Sequence, residues 1–164
     1  MKKVNIYIPI LLLLTMLRCN SSMDIETFIY VDNHSDISTL LYFPLIGMEG
    51  GIYPDTTIGF EKKNVGYPTK PGKRAYAGIS NISLEDWILT FPKDTVSIYI
   101  FSQDIVDKYD WSEIQSNYKI LQRYDLSIKD FEKLSDTKSG VPIITYPPTK
   151  EMKDMKMWPS YENK

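Results

Sequence analysis

The chain contains one cysteine, Cys19, and this constrains the fold because no disulfide can form within a single copy. A domain without disulfides has to be held together by apolar packing. The composition permits this, because 43% of the residues are hydrophobic and twelve are tyrosines, whose rings bury large areas. We therefore expect one packed domain with an ordinary hydrophobic core.

The N-terminal segment has the layout of a secretory signal. Lys2 and Lys3 precede an apolar run at residues 4–17, which is typical of a basic region followed by a short hydrophobic region. As a helix this run would span about 21 Å, less than the roughly 30 Å hydrocarbon core of a bilayer. An uncleaved membrane anchor is the alternative interpretation, and the short length disfavours it.

Cys19 lies two residues beyond the apolar run, where bacterial lipoproteins carry their lipidated cysteine. Residues 14–19 resemble a lipobox, although Arg18 occupies a position that usually holds a small residue. Because the one cysteine lies at this position, we expect cleavage before Cys19 and acyl chains on its sulfur and amino group. Two or more such chains would hold the protein stably on a membrane. The alternative is cleavage after Ser21 by an ordinary signal peptidase, which would release a soluble protein.

The sequence therefore predicts a signal peptide at 1–18, a lipidated cysteine and short tether at 19–26, a globular domain at 27–148 and a C-terminal tail at 149–164. Removal of residues 1–18 leaves 146 residues, enough for one domain. The mature chain has 16 basic and 21 acidic residues, a net charge of −5. Phosphate backbones and anionic headgroups repel such a surface. We expect no nucleic-acid partner, and membrane contact through the acyl chains on Cys19.

The mature chain carries about seven short strand patterns and a few brief helix patterns. Residues 95–102 are apolar on both faces of a strand, so both faces should be covered. Residues 118–126 alternate between apolar and polar and predict a half-exposed strand. Short helices should begin after Ser83, Asp110 and Ser127, each followed three residues later by an acid. The other predicted strands lie at 27–31, 39–43, 56–60, 75–79 and 141–146, with a long loop at 62–74. This pattern predicts a mainly β, α+β domain with a β-sandwich-like core.

The chain offers few groups for catalysis or metal binding. Its only histidine, His34, lies in a predicted turn, where adjacent side chains rarely converge on one reacting atom. A zinc site needs three or four ligands. We therefore predict no catalytic residues, no metal, no cofactor and no enzymatic activity. A carboxylate-based hydrolase remains an alternative, built on four acids spaced three residues apart: Asp104, Asp107, Asp110 and Glu113. These acids can also be explained as solvated helix starts.

Three tyrosines and two basic residues are candidate partner contacts. Tyrosines in or beside loops can form a platform for a glycan or a protein, because they combine apolar area with a polar tip. Basic residues at the end of the long loop can contact an acidic partner. The plainer interpretation is that the tyrosines are structural and the loop is merely soluble. The candidates are Tyr53, Tyr67, Tyr76, Lys73 and Arg74.

Several stretches are similar to those of small Bacteroides-type envelope lipoproteins of Bacteroidota. The resemblance is carried by residues 53–56, 94–101, 118–126, 144–149 and 156–159. It implies an outer-membrane lipoprotein of the bacterial cell envelope, and it supplies no assigned activity and no catalytic residues. The leading hypothesis is a non-catalytic, lipid-anchored interaction or structural module with an unknown protein or glycan partner. The alternatives are a carbohydrate-associated surface lipoprotein that uses its loop aromatics, and the carboxylate-based hydrolase.

Mass spectrometry of the protein purified from membranes tests the predicted anchor. We expect a mature chain that begins at Cys19 and carries a diacylglyceryl group with an amide-linked acyl chain. The variant Cys19→Ser should leave the membrane fraction, because it lacks the sulfur that carries the lipid. An unmodified chain that begins at Ser22 would contradict the prediction.

Overall fold

A computed structural model describes residues 26–44, 51–80 and 82–162. This part of the chain contains seven strands: β1 (Glu26–Asn33), β2 (Thr39–Tyr42), β3 (Arg74–Ser80), β4 (Thr95–Ser102), β5 (Gln122–Ser127), β6 (Ile143–Tyr146) and β7 (Lys156–Trp158). It also contains four helices: α1 (Leu84–Leu89), α2 (Gln103–Lys108), α3 (Trp111–Ser116) and α4 (Ile128–Leu134). Three short 3-10 turns lie at Lys62–Asn64, Pro92–Asp94 and Lys150–Met152. No helix among these described residues is both long and apolar enough to cross a bilayer.

The strands form two sheets. A three-stranded sheet has the order β3-β1-β6, in which β1 is antiparallel to β3 and parallel to β6. A four-stranded sheet has the order β2-β4-β5-β7, and all of its neighbouring strands are antiparallel. The prediction of a mainly β, α+β domain with a sandwich-like core is confirmed.

The first hydrophobic core lies between the two sheets. Ile29 and Val31 of β1 and Ile144 of β6 share this core with Ile98 and Ile100 of β4. Helices α1 and α4 add large aromatic side chains to the same core. Ser83 begins α1 as predicted, since its side chain accepts a hydrogen bond from the backbone amide three residues later.

The second core covers the opposite face of the four-stranded sheet. Tyr99 and Phe101 of β4 pack there against α2, α3 and an irregular segment at 51–60. The predicted strand at 56–60 is wrong, because this segment forms no strand ladder. Its carbonyls bond to side chains instead, since Trp111 Nε1 donates to the Phe60 carbonyl at 2.9 Å and Gln115 Nε2 donates to that of Ile58 at 2.7 Å.

Strand β5 is shorter and more buried than the sequence indicates. It begins at Gln122 rather than at Tyr118, whose φ of 50° is left-handed and interrupts the extended chain. The prediction of a half-exposed strand is also wrong, because residues 122–126 are all buried. Arg123 and Asp125 are hidden because they pair with each other at 3.0 Å.

Part of the segment predicted as a C-terminal tail packs onto the domain. Met152 and Met155 are buried in the first core. Strand β7 then pairs with β5, with Met157 opposite Tyr124. Burial of these two methionines explains why the segment packs onto the domain.

Trp87 on α1 provides a test of the first core. It is 1% exposed and stacks on Phe43 with the ring centroids 4.8 Å apart. Replacing it with alanine should lower the free energy of unfolding by about 3–5 kcal/mol, because a large cavity remains. Leu89 on the same helix is 51% exposed, so Leu89→Ala should change stability by about 0.5 kcal/mol or less. Urea denaturation measures both variants, and equal losses would contradict this core assignment.

Candidate binding surface

The outer face of the three-stranded sheet is assembled from alternate residues of β1 and β3. Ile29 and Val31 of β1 face the first core, so the residues between and beside them face outward. The strand register places Tyr30 opposite Tyr76 and Asp32 opposite Arg74. We use the name aromatic face for the group formed by Phe28, Tyr30, Asp32, Arg74 and Tyr76.

An ion pair and aromatic contacts order this face. Arg74 donates two hydrogen bonds to Asp32, from Nε to Oδ1 at 2.6 Å and from Nη2 to Oδ2 at 2.8 Å. The guanidinium also lies over the Tyr30 ring, with its carbon 4.9 Å from the ring centroid. Tyr76 meets Phe28 edge to face, with centroids 6.5 Å apart. These contacts link the five side chains of the aromatic face into two groups, Asp32–Arg74–Tyr30 and Phe28–Tyr76.

Tyr76 remains open to solvent despite these contacts. Its side chain is 71% exposed, a large value for an aromatic residue in a strand. The buried side chains of the four described helices lie in the two cores, away from this face. The face therefore combines exposed aromatic area with a bidentate ion pair.

The charges of the ion pair are maintained near neutral pH. The hydrogen bond from Arg74 lowers the pKa of Asp32, so the carboxylate stays ionised. The same hydrogen bond raises the pKa of Arg74. The face therefore presents a carboxylate and a guanidinium together beside its aromatic rings.

The five predicted contact residues do not form one surface. Tyr76 and Arg74 lie on the aromatic face, and Lys73 is exposed in the turn just before β3. Tyr67 is 94% exposed on the loop that precedes this turn. Tyr53 lies beside the four-stranded sheet, where Lys156 Nζ donates to its hydroxyl at 2.9 Å and lowers its pKa.

Sequence reasoning missed three members of the aromatic face: Phe28, Tyr30 and Asp32. The signal was present in β1, where these residues alternate with Ile29 and Val31. An alternating strand has one face toward the core and one toward solvent or a partner. The predicted lipidation site, Cys19, lies outside the described residues.

A second polar cluster lies on the outer face of the four-stranded sheet, and it is buried. Arg123 donates to the Tyr118 hydroxyl at 2.7 Å and to Asp125 at 3.0 Å. Ser97 donates to the other Asp125 oxygen at 2.7 Å. Burial raises the pKa of both Tyr99 and Tyr118, which disfavours their ionised, nucleophilic forms. Among the buried side-chain nitrogen and oxygen atoms that the structure describes, only Arg123 Nε lacks a hydrogen-bond partner. The cluster therefore satisfies most of its own polar groups, and we assign it a structural role.

The acids of the hydrolase hypothesis lie on the surface around α2 and α3. Asp104, Asp107 and Asp110 are exposed. Glu113 forms an ion pair with Lys119 at 3.5 Å. His34 is exposed in the turn after β1. Within the ranges that the structure describes, no three His, Cys, Asp or Glu side chains are grouped so that they could hold a metal ion.

A groove of about 510 Å³ lies beside the start of β5 and the end of β6. Gln122 Nε2 donates to the Pro159 carbonyl at 2.7 Å and ties the two sides of this region together. Proline and tyrosine dominate its lining, which includes Tyr146, Pro147, Pro148, Pro159 and Tyr161. It contains no ion pair comparable with that of the aromatic face.

Comparisons with known proteins identify no relative from which a function could be inferred. No protein-family model, curated protein or solved structure matches this chain. The similarity to Bacteroides-type lipoproteins stays a prediction.

The Asp32–Arg74 pair should make a pH-dependent contribution to stability. A carboxyl whose pKa is lowered by folding stabilises the protein above its unfolded pKa, near 3.9, and loses this contribution as the pH falls through the lower folded value. Because Arg74 is 46% exposed, we expect Arg74→Gln to cost only about 0.3–1 kcal/mol at neutral pH, and close to nothing toward about pH 2.

Lys73→Gln is the matched control for this measurement, since it removes the same charge one residue away. Lys73 forms no ion pair among the described residues. Urea denaturation from neutral to acidic pH should show the pH-dependent loss for Arg74→Gln alone. Parallel curves for both variants would contradict a specific pair.

Proposed function

We propose that this protein is a lipid-anchored, non-catalytic binding module of the bacterial envelope and that the aromatic face is its contact surface. The observation that carries the proposal is the exposed Tyr76, which meets Phe28 edge to face on the same sheet face as the Asp32–Arg74 pair. Tyrosine and arginine are enriched among the residues that dominate binding energy at interfaces.

The face is suited to binding because it is already ordered. Arg74 is fixed by two hydrogen bonds and by the Tyr30 ring. Side chains that are fixed before association lose little conformational entropy when a partner binds. The strands beneath them are fixed by the first core, so the spacing of the rings is set by the sheet.

A carbohydrate is the ligand class that fits this grouping best. A sugar ring has an apolar face that can lie on an aromatic ring such as Tyr76, and a rim of hydroxyl groups. The Asp32 carboxylate can accept hydrogen bonds from those hydroxyls, and the exposed Arg74 guanidinium can donate to them. The platform lies on a strand face, whereas the sequence had suggested loops.

An acidic protein segment is the second candidate ligand. It is favoured by the positive charges of Lys70 and Lys73 on the loop that leads into β3, and of Arg74 at the first position of β3. Salt discriminates between the two classes, because it weakens binding of an acidic segment and leaves stacking on a neutral sugar largely unchanged.

The proposed anchor restricts where the ligand can be. Cys19 precedes the first residue of β1 by seven residues, which reach at most about 25 Å when fully extended. The domain would therefore stay close to the membrane that holds its lipid. We expect the ligand to be an envelope component or a molecule that arrives at the membrane surface.

Binding of purified variants to a glycan array tests the proposal. Tyr76→Ala should weaken binding at least about tenfold, since a central aromatic contact at an interface is typically worth about 1.4 kcal/mol or more. Tyr67→Ala is the matched control, because it removes a tyrosine that is even more exposed and lies outside β1 and β3. Unfolding temperatures establish that both variants are folded.

Three outcomes can be separated. Loss of a glycan signal in Tyr76→Ala alone supports the carbohydrate class. A blank array combined with salt-sensitive crosslinking of the membrane-bound protein to an acidic partner, lost in Arg74→Gln, supports the protein class. Binding that survives both substitutions would contradict the aromatic face as the contact surface.

A further inference from the structure

The backbone hydrogen bonds that β1 makes to its two neighbours show which N–H and C=O groups of β3 point away from the sheet. The Tyr30 amide donates to Pro142 next to β6, and the Asn33 amide donates to Lys73 next to β3. Even-numbered residues of β1 therefore bond toward β6, and odd-numbered residues bond toward β3. Because the register pairs Val31 with Ala75, the odd-numbered residues of β3 are the ones that bond to β1.

The other residues of β3 form an open edge. The N–H and C=O groups of Arg74, Tyr76, Gly78 and Ser80 point outward, and β3 is the last strand in the order of its sheet. Within the described residues, neither Arg74 nor Tyr76 has a backbone partner on that side. Proteins usually protect such edges with lysines, prolines or very short strands. Strand β3 has seven residues, no proline and a single charged residue at its first position.

We propose that β3 pairs antiparallel with β3 of a second copy, about a two-fold axis at Ala77. In this register Arg74 lies opposite Ser80 of the second copy, and Tyr76 lies opposite Gly78. All four outward residues of each copy then pair, and each pair exchanges two hydrogen bonds. A register shifted by two residues would leave one outward residue of each copy unpaired.

The sequence of β3 favours a second copy as the occupant of this edge. The two Arg74 residues would lie at opposite ends, about 20 Å apart, so no like charges meet. Tyr76 would lie beside Gly78, and an aromatic residue across from an edge glycine is a favourable sheet pairing. A two-fold interface uses the same patch twice, as this self-complementary strand requires.

Pairing would join two aromatic faces into one surface on a six-stranded sheet. The inference goes beyond the proposed binding function and does not depend on it. A standard protein–protein interface buries at least about 1,200 Å². One strand pair buries less surface than this, so we expect weak association in dilute solution. On a membrane, two chains held by the proposed lipid anchor would have a much higher effective concentration.

Disulfide trapping of the full chain in native membranes tests the dimer and its register. At Ala77 the two Cα atoms would lie about 4.5 Å apart, within the roughly 4.4–6.8 Å that a disulfide allows. At Ala75 they would lie about 14 Å apart, because Ala75 faces Ile79 of the second copy. After oxidation with copper phenanthroline, Ala77→Cys should therefore give at least about tenfold more covalent dimer than Ala75→Cys or the wild type with Cys19 alone.

Two results of the trapping experiment would overturn the proposal. One is equal crosslinking of Ala77→Cys and Ala75→Cys, which indicates random collision. The other is absence of crosslinking in an Ala77→Cys protein whose circular dichroism matches the wild type. Because neither result involves a ligand, failure here is distinguishable from failure of the proposed binding function.

Hydrogen exchange of the wild type provides a second measurement that needs no substitution. In detergent micelles, the amides of Tyr76 and Gly78 should exchange more slowly as the protein concentration rises. The amides of Ala75 and Ala77 should change little, because β1 already protects them. Concentration-independent exchange of Tyr76 and Gly78 would overturn the proposal. Protection of these two amides in membranes without trapping at residue 77 would also overturn it, because another protein's strand would then occupy the edge.

Discussion

Burial of β4 on both faces is the constraint on which the rest of the structure depends. All eight of its residues are buried, so the four-stranded sheet needs a cover on each side. The three-stranded sheet with α1 and α4 covers one side, and α2, α3 and residues 51–60 cover the other. A chain without internal disulfides has to reach its stability through such packing.

This arrangement also determines which surface is left for a partner. The inner face of the three-stranded sheet packs on the first core, and its outer face carries the aromatic face. Tyr30 and Arg74 stabilise each other there through a cation–π contact and the bond to Asp32. A sheet face that only needed to be soluble would not require an exposed tyrosine beside phenylalanine. This exposure is the observation on which the proposal of a binding function rests.

Local signals in the sequence predicted much of the framework. The two apolar faces of β4 predicted its double burial, and the capping pattern at Ser127 predicted α4, where Ser127 and Asp130 bond reciprocally.

The failures depend on contacts between distant residues. The carbonyl of Phe60 is satisfied by Trp111, 51 residues away, so an apparent strand at 56–60 needs no ladder. Arg123 and Asp125 look solvent-facing in the sequence and become buried only because they pair. The aromatic face could be predicted only in part, because its formation requires β1 and β3 to be neighbours.

Hydroxyl-radical footprinting in native envelopes tests the central claim most directly, because it requires no knowledge of the ligand. Tyr76 and Tyr67 are both exposed in the isolated chain and should both be oxidised in the purified protein. In the envelope, our account predicts that Tyr76 becomes strongly protected while Tyr67 stays reactive. Equal oxidation of Tyr76 in the purified protein and in the envelope would contradict the claim that the aromatic face is a contact surface.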